Sequence, residues 1–365
     1  MLFYLSLFLF FIAIYKYAER SESWFLLLIA IMIPTLFEGL RDDVVGTDML
    51  VYGSQWFEAM DVNNSLWEVI ENAPTPEYGY LFIIYICKKI LPDIHLYMTA
   101  CAFIKICMVY LAAYRMRHVL YSCVFLFGYY CFFYVLSFSM MRQGVAVAVC
   151  IYSMTFFLDH ELKKFVACVI LAYFFHNSAI LMLLFIPLYY IRSVKYRSAI
   201  IIGGALWAYT SIEFLFSLVL KLPIFKEEIA DLYEDSGVVS AKTNILISCA
   251  FLFYSIFLQI WYKKQEEKQE EKQEEDGRNF FLMASSIISL LILFLASYIE
   301  VAFRMSYYFF IMAMLLSVFF IKMNKFLKGI FILAYIFLFI LHFYIACSHG
   351  LNDALNYSSE ILGIS

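Results

Sequence analysis

Apolar runs long enough to cross a lipid bilayer recur from one end of this 365-residue chain to the other. A crossing helix needs about 20 consecutive apolar residues, because the bilayer interior gives the backbone no outside hydrogen-bond partner. Apolar segments fall at 2–17, 24–40, 78–91, 96–114, 120–138, 141–158, 164–175, 177–191, 198–220, 243–262, 280–298, 304–321 and 329–347. The sequence therefore predicts an all-α polytopic membrane protein.

The overall composition agrees with this class. The chain is 64% hydrophobic and 15% charged, with a mean hydropathy of +0.80, whereas about a quarter of the residues of a soluble domain are charged. No basic cluster with interleaved aromatics is present, so we expect no nucleic-acid partner. The first apolar run lacks a basic start and a small-x-small cleavage site, which favours a retained helix over a signal peptide.

The basic residues predict how the chain is threaded, because lysine and arginine favour the cytoplasmic side of short loops. Lys16 and Arg20 place the first loop inside. The other basic loops share that side only if 78–91 lies along the outer interface and 164–191 is a broken, re-entrant pair of short helices. This gives about 12 crossings with both termini outside. A single tilted helix over 164–191 is the alternative.

The charged stretch KKQEEKQEEKQEEDGR, residues 263–278, is expected to continue the preceding helix into the cytoplasm and then fray. This charged stretch divides the predicted integral membrane domain into three parts. These are an N-terminal bundle over 1–262 with an outer loop at 41–77, a charged cytoplasmic linker over 263–279, and C-terminal helices with an outer tail over 280–365.

Three arginines lie at the predicted outer ends of spans, against the usual bias: Arg41, Arg142 and Arg304. An arginine at a span's edge is costly unless an anion meets it, and its planar fork matches phosphate oxygens. Local pairing is the alternative, with Asp42 or Asp43 for the first and Glu300 for the third. Together the three favour a site for an anionic, membrane-embedded substrate such as a lipid pyrophosphate.

A histidine interrupts an apolar run in AYFFHNSAILML, residues 172–183. Polar groups at membrane depth are tolerated where the backbone is buried in protein or lines a wet cavity. His176 is the candidate general base, because imidazoles titrate near neutral pH and proton transfer contributes about 10²–10⁴-fold. Asn177 and Ser178 could orient it. The alternative is a histidine that only satisfies the backbone of a helix break.

Five short motifs follow one another along most of the chain. They are Arg41, Gly46, Thr47, Asp48 and Tyr52; Glu77, Gly79 and Tyr80; Arg142, Gln143 and Ala146; Phe175, His176, Ser178 and Ala179; and Arg304, Tyr308 and Phe309. In order and spacing these motifs resemble the EpsG family of Wzy-type polysaccharide polymerases, which are bacterial membrane glycosyltransferases. The C-terminal tail departs from the resemblance, since Asn356 and Tyr357 stand where the family often has Pro-Tyr.

The resemblance implies a glycosyltransferase of GT-C-like architecture in the bacterial cytoplasmic (inner) membrane, with its active site facing the periplasm. Such an enzyme would transfer a glycan linked to undecaprenyl pyrophosphate onto the next lipid-linked repeat unit. Its expected partners are the donor and acceptor lipids, the surrounding membrane lipid, and a flippase and chain-length regulator of the same pathway. No cofactor is expected.

Roles can be assigned to the motif residues on physical grounds. Arg142 and Arg304 are expected to clamp the pyrophosphate, with Arg41 as a third contact or as a partner of the acidic loop. Substrate binding is expected of Asp48, Tyr52, Glu77, Tyr80, Gln143, Asn177, Ser178 and Tyr308. Glu77 has a structural alternative, because it could cap the N-terminus of the interfacial helix.

Two other functions remain open. A metal-dependent glycosyltransferase that uses a polyprenyl-phosphate sugar would rely on Asp42 and Asp43, whose oxygens suit a divalent ion. A flippase or transporter for lipid-linked sugar would also place arginines in a membrane cavity. It should show paired broken segments in two internal repeats, whereas the sequence indicates one broken pair, at 164–191.

Overall fold

A computed structural model gives the protein an all-helical structure. It describes residues 1–46, 49, 53–71, 77–194, 196–210, 238–263, 269–296, 300–319, 325–350 and 355–364. The helices are α1 Leu2–Ser21, α2 Trp24–Gly39, α3 Ser54–Ala59, α4 Leu66–Glu71, α5 Tyr78–Ile90, α6 Ile94–Arg115, α7 Ser122–Tyr129, α8 Met141–Leu158, α9 Leu162–Tyr173, α10 Phe185–Ile191, α11 Arg197–Thr210, α12 Val238–Lys263, α13 Gln269–Leu295, α14 Glu300–Ser317 and α15 Lys325–Ser348.

Within the residues that the structure describes, six helices are long and apolar enough to cross a membrane: Leu2–Ser21, Ile94–Arg115, Met141–Leu158, Lys242–Trp261, Glu275–Leu295 and Lys325–Ser348. Several shorter apolar helices accompany them, and no strand occurs in the described ranges. The predicted all-α membrane class is confirmed. The number of crossings and the GT-C-like architecture stay predictions.

The chain forms two compact units. The first contains Met1–Ile180 and Val318–Ser365, and the second contains Leu181–Ser317. The predicted division at 263–279 stays a prediction. Within the second unit, α12 and α13 are joined by a hydrogen bond from the Asn279 side chain to the Ser255 carbonyl at 2.9 Å.

The charged stretch at 263–278 differs from its prediction. Its second half, from Gln269 onward, begins α13 instead of fraying after α12. Glutamate, glutamine and lysine are strong helix formers, and oppositely charged neighbours three or four residues apart stabilise a helix. Polar composition therefore did not indicate which helix would include the stretch. Residues 264–268 lie outside the described residues.

Loops at one end of the first unit are tied together by polar contacts. These contacts are Ser122 with Glu19, Arg117 with Glu22, Arg115 with Asp159, and Tyr121 with Val318. All of these loops are predicted to be cytoplasmic. The opposite end has its own set: Arg41 with Phe138, Asp42 with Ser358, Tyr80 with Tyr97, and Gly79 with Phe174. Loops that are predicted to lie on the same side of the membrane therefore lie at the same end of the first unit. Which end faces outside the cell stays a prediction.

Helix α5 stays at this second end. Near its start, the Tyr80 ring packs edge-on against Trp56 of α3, with centroids 5.8 Å apart. Near its finish, the Lys88 ammonium group donates to the Glu58 carbonyl of the same short helix at 2.9 Å. Because both parts of α5 contact α3, the helix lies along one end of the unit, as the sequence predicts for 78–91. Its exposed stripe is apolar: Tyr78, Phe82, Ile86 and Ile90.

The predicted break in the run 164–191 is present. Helix α9 ends at Tyr173, and a 3₁₀ segment over Asn177–Leu184 separates it from α10. The alternative of one continuous helix is therefore wrong. His176 lies in the break itself, where its backbone N–H donates to the Ala172 carbonyl at 3.0 Å. That the two arms return to the same side stays a prediction.

Candidate active site

A buried carboxylate joins three of the sequence motifs. Glu77 immediately precedes α5 and is 3% exposed. Its Oε2 accepts a hydrogen bond from Arg142 Nη1 at 2.5 Å, and its Oε1 pairs with His176 Nδ1, also at 2.5 Å. Arg142 is the second residue of α8, and His176 follows α9. We call these three residues the Glu77 cluster.

Backbone contact between two motifs holds this cluster together. The Gly79 N–H donates to the Phe174 carbonyl at 2.8 Å. A Cβ added at Gly79 would lie 3.0 Å from that same oxygen, so only glycine lets the first turn of α5 approach so closely. The approach brings Glu77 to the helix break that carries His176.

Glu77 occupies the N-cap position of α5, and its backbone carbonyl accepts from Tyr80 N at 3.1 Å. Its side chain makes no capping hydrogen bond there. The alternative of side-chain capping is therefore wrong. The carboxylate turns instead toward the arginine and the histidine, because two charge-assisted bonds stabilise a buried anion better than exposed backbone N–H groups alone.

The electrostatics of the cluster favour an ionised Glu77 carboxylate. Burial raises the pKa of the Glu77 carboxyl, but hydrogen bonding and charge from His176 and Arg142 outweigh burial, so this pKa lies below its usual value. An ionised carboxylate only accepts hydrogen bonds, so His176 must donate from Nδ1. In the neutral imidazole the lone pair is then on Nε2.

Access to the cluster differs between its members. The side chain of Glu77 is 4% exposed, whereas those of His176 and Arg142 are 26% and 20% exposed. The carboxylate therefore lies beneath two groups that a substrate can reach. A buried carboxylate in this position can hold an imidazole and a guanidinium in fixed orientations.

Aromatic side chains pack beside Arg142. Its guanidinium carbon lies 5.0 Å from the centroid of the Trp56 ring, within cation–π range. Tyr80 packs against Trp56 and is fully buried, with its hydroxyl bonded to that of Tyr97. Spacing could not reveal Trp56 as a partner of Arg142, because the two lie far apart in the chain.

Arg41 has a different environment. It is fully buried, and its guanidinium lies 4.9 Å from the Phe138 ring centroid. It donates to three backbone carbonyls, those of Glu38, Val45 and Phe138, at 2.7, 3.1 and 3.0 Å. Arg41 therefore connects the end of α2 to the turn that precedes α8.

The aspartates beside Arg41 have other partners, so the predicted local ion pair is wrong. Asp42 Oδ1 accepts from the Glu360 N–H at 2.9 Å, and Asp43 Oδ2 accepts from Ser54 Oγ at 3.4 Å. Hydrogen bonds from Ser358 and Glu360 lower the pKa of Asp42. Within the described part of the chain, no group of three or more histidine, cysteine, aspartate or glutamate residues could hold a metal ion.

The remaining predicted residues divide between the two units. In the first, Gln143 is buried beside Arg142, and Asn177 and Ser178 are partly buried after His176. In the second, Arg304 is exposed on α14 and Tyr308 is fully buried. Asp48, Tyr52 and the side chain of Glu300 lie outside the described residues. The structure thus brings together Glu77, Arg142 and His176 from the predicted set.

Gly46 provides a test of this local architecture. Its φ is +102°, and an added Cβ would lie 2.9 Å from the carbonyl carbon and oxygen of Phe138. We expect Gly46→Ala to destabilise the protein by about 1–3 kcal/mol from backbone strain alone, with a lower melting temperature in detergent. Gly203→Ala is the control, because nothing lies within 4 Å of a Cβ there. Equal melting temperatures for the two variants would contradict the packing described.

The chain was compared with protein families, curated proteins and solved structures. A sequence model of the EpsG family matches residues 24–359, nearly the whole chain. No curated protein and no solved structure matches the chain.

Proposed function

Because the chain belongs to the EpsG family, a polysaccharide polymerase-like family of membrane proteins, we propose that it is a polysaccharide polymerase of the glycosyltransferase type. It transfers a glycan from undecaprenyl pyrophosphate onto the next lipid-linked repeat unit, at the periplasmic face of the inner membrane. The Glu77 cluster is the observation that carries the proposal, since it sets a carboxylate-paired imidazole beside an arginine.

The reaction needs one proton acceptor and one stabiliser of negative charge. A hydroxyl of the acceptor sugar attacks the anomeric carbon of the donor, and its proton passes to Nε2 of His176. The bond from the anomeric carbon to the phosphate oxygen breaks, and the lipid pyrophosphate leaves with that electron pair. Arg142 donates to the departing phosphate oxygens, and Glu77 stabilises the imidazolium.

Charge balance within the cluster favours this sequence of events. With neutral His176, the charges of Glu77 and Arg142 cancel. Once His176 accepts a proton, the cluster carries one net positive charge, at the moment when the leaving pyrophosphate gains a negative one. Preorganised charge that appears where negative charge develops lowers the barrier without reorganisation of solvent.

Other residues take supporting roles in this proposal. Gln143, Asn177 and Ser178 are polar neighbours of the cluster and suit hydrogen bonds to sugar or phosphate. A pyrophosphate contact by Arg304, which lies in the second unit, stays a prediction from the sequence. Arg41, Tyr80 and Tyr308 are assigned to packing and positioning, because each is fully buried and Arg41 already donates to three carbonyls. A flippase and a chain-length regulator are the proposed partner proteins.

The metal-dependent alternative is less well supported than the polymerase. It requires Asp42 and Asp43 to hold an ion or act as a base, but Asp42 is engaged by the C-terminal tail and Asp43 by Ser54. We expect polymerisation by the purified protein to continue in excess chelator. Strict dependence on a divalent ion would favour the aspartates over His176.

A genetic experiment separates polymerase from flippase. In a strain that lacks this chain, we expect single repeat units to reach the cell surface without long chains, because export works and only polymerisation fails. The wild-type chain should restore the ladder of lengths on an electrophoresis gel. Loss of all surface glycan, single units included, would favour a flippase and contradict the proposal.

A further inference from the structure

The C-terminal tail, residues 355–364, docks on the end of α2. The Tyr357 ring stacks on Phe37 with centroids 4.1 Å apart and planes 9° apart. Polar contacts then follow one another: Tyr357 Oη to the Phe37 carbonyl at 2.6 Å, Ser359 Oγ to the Leu40 carbonyl at 2.5 Å, Asp42 N to the Ser358 carbonyl at 2.9 Å, and Glu360 N to Asp42 Oδ1 at 2.9 Å. The tail is therefore a docked element of the first unit.

The docked tail is also folded on itself. Ser359 N donates to the Ile364 carbonyl at 2.7 Å, and Ile364 N donates back at 2.9 Å. Between them, Leu362 N donates to Ser359 Oγ at 3.1 Å. These bonds close a compact loop at the end of the tail.

The contacts satisfy a specific need of α2. The last four carbonyls of an α-helix have no partner within the helix and must find one outside it. At the end of α2, the tail hydroxyls of Tyr357 and Ser359 donate to the carbonyls of Phe37 and Leu40. The Glu38 carbonyl accepts from Arg41. Tail and arginine together cap the helix.

A series of contacts connects the capped end of α2 to the Glu77 cluster. The same Arg41 that bonds the Glu38 carbonyl also donates to the Phe138 carbonyl. Gly46, in the loop after Arg41, packs against the backbone of Phe138 as well. Phe138 ends the turn before α8, and Arg142 is the second residue of that helix. Displacement of the α2 end would therefore move the start of α8.

We propose that the C-terminal tail is a positioning strap for the active site. It holds the end of α2 and, through Arg41, sets the position of Arg142 against the pyrophosphate. This inference rests on the proposed function. Small displacements of a positioned group can reduce turnover by up to about 100-fold, so the strap acts on catalysis from outside the reacting groups.

Matched variants test the strap in a reconstituted polymerisation assay. Tyr357→Ala removes both the stacking and the hydroxyl, and we expect turnover to fall about tenfold or more while the KM for the lipid-linked donor changes little. Tyr357→Phe keeps the stacking and should be intermediate. Ile361→Ala is the control in the same tail, because this side chain is 54% exposed, and it should behave as wild type.

A truncated chain, complemented by a tail peptide, gives a second test. A chain that ends at Gly350 should lose turnover as Tyr357→Ala does. A synthetic peptide of residues 355–365, added in trans, should restore part of it, whereas the same peptide with alanine at position 357 should not. Wild-type turnover from both the deletion and Tyr357→Ala would overturn the proposal.

Hydrogen–deuterium exchange supplies a readout that does not depend on activity. Without the tail, we expect faster exchange at Asp42 N, which bonds Ser358, and in 136–145, where Ser139 N and Gly144 N bond within the turn and α8. Unchanged exchange in both stretches would contradict the strap even if the polymerase is confirmed. Faster exchange in a protein that makes no polymer would contradict only the proposed function.

Discussion

Glu77→Gln is expected to reduce polymerisation by about 10³-fold, which is within the range of a lost general base, while the protein remains in the membrane. The amide of glutamine is neutral and can donate as well as accept. It therefore no longer stabilises an imidazolium or holds His176 with its lone pair on Nε2. It also leaves the charge of Arg142 without its carboxylate partner.

The control for this variant is Glu58→Gln, an exposed glutamate on α3 at the same end of the first unit. It makes the same chemical change without touching the cluster. Polymer length distributions from cells and turnover by the purified protein measure both variants. Wild-type ladders from Glu77→Gln would remove the carboxylate from the mechanism.

The pH dependence of stability gives the same variant a second use. The pKa of Glu77 is lower in the folded protein than its ordinary value. The stability it contributes is then complete above the ordinary glutamate pKa and is lost as the pH falls through the folded value. The difference in melting temperature between wild type and Glu77→Gln should therefore shrink as the pH falls below about 4, the ordinary range of a glutamate pKa.

His176→Ala is expected to cause the second large loss of turnover. We expect a loss of about 10²–10⁴-fold in turnover, the contribution of positioned proton transfer. Single repeat units should then accumulate on the lipid while membrane insertion is normal. Added imidazole should restore part of the turnover, because the cavity left by the side chain can admit a free base next to Glu77.

His95→Ala is the matched control. His95 also pairs with a carboxylate, with Nδ1 2.9 Å from Asp93 Oδ1, and it lies at the same end of the first unit. It is the second residue of α6, beside the N-cap Asp93, and is not part of the Glu77 cluster. Normal ladders from His176→Ala together with loss from His95→Ala would move the base to the other histidine.

Much of the fold could be predicted because its cause is local. Apolar length predicts the helices, and basic residues predict which loops share an end. The same reasoning explains why α5 stays at one end, since Lys88 and Lys89 at its finish disfavour a crossing. The break before Asn177 was also predictable, because consecutive polar residues interrupt an apolar run.

The cluster itself could not be predicted as a unit. Glu77 lies 65 residues from Arg142 and 99 from His176, so their meeting depends on how α5, α8 and α9 pack. Each motif was visible, but the ion pair that joins them was not. For Arg41, the neighbouring aspartates favoured a local pair, whereas burial at the end of α2 made backbone carbonyls the partners that needed a donor.

The central claim is that Glu77 holds a base and a phosphate-binding arginine in one site for a lipid pyrophosphate. It is tested most directly by the structure of the protein in lipid nanodiscs with undecaprenyl pyrophosphate bound. We expect phosphate oxygens within about 3 Å of the Arg142 guanidinium, with Nε2 of His176 facing the same pocket. Phosphate bound elsewhere, with Arg142 contacting Glu77 alone, would contradict the claim.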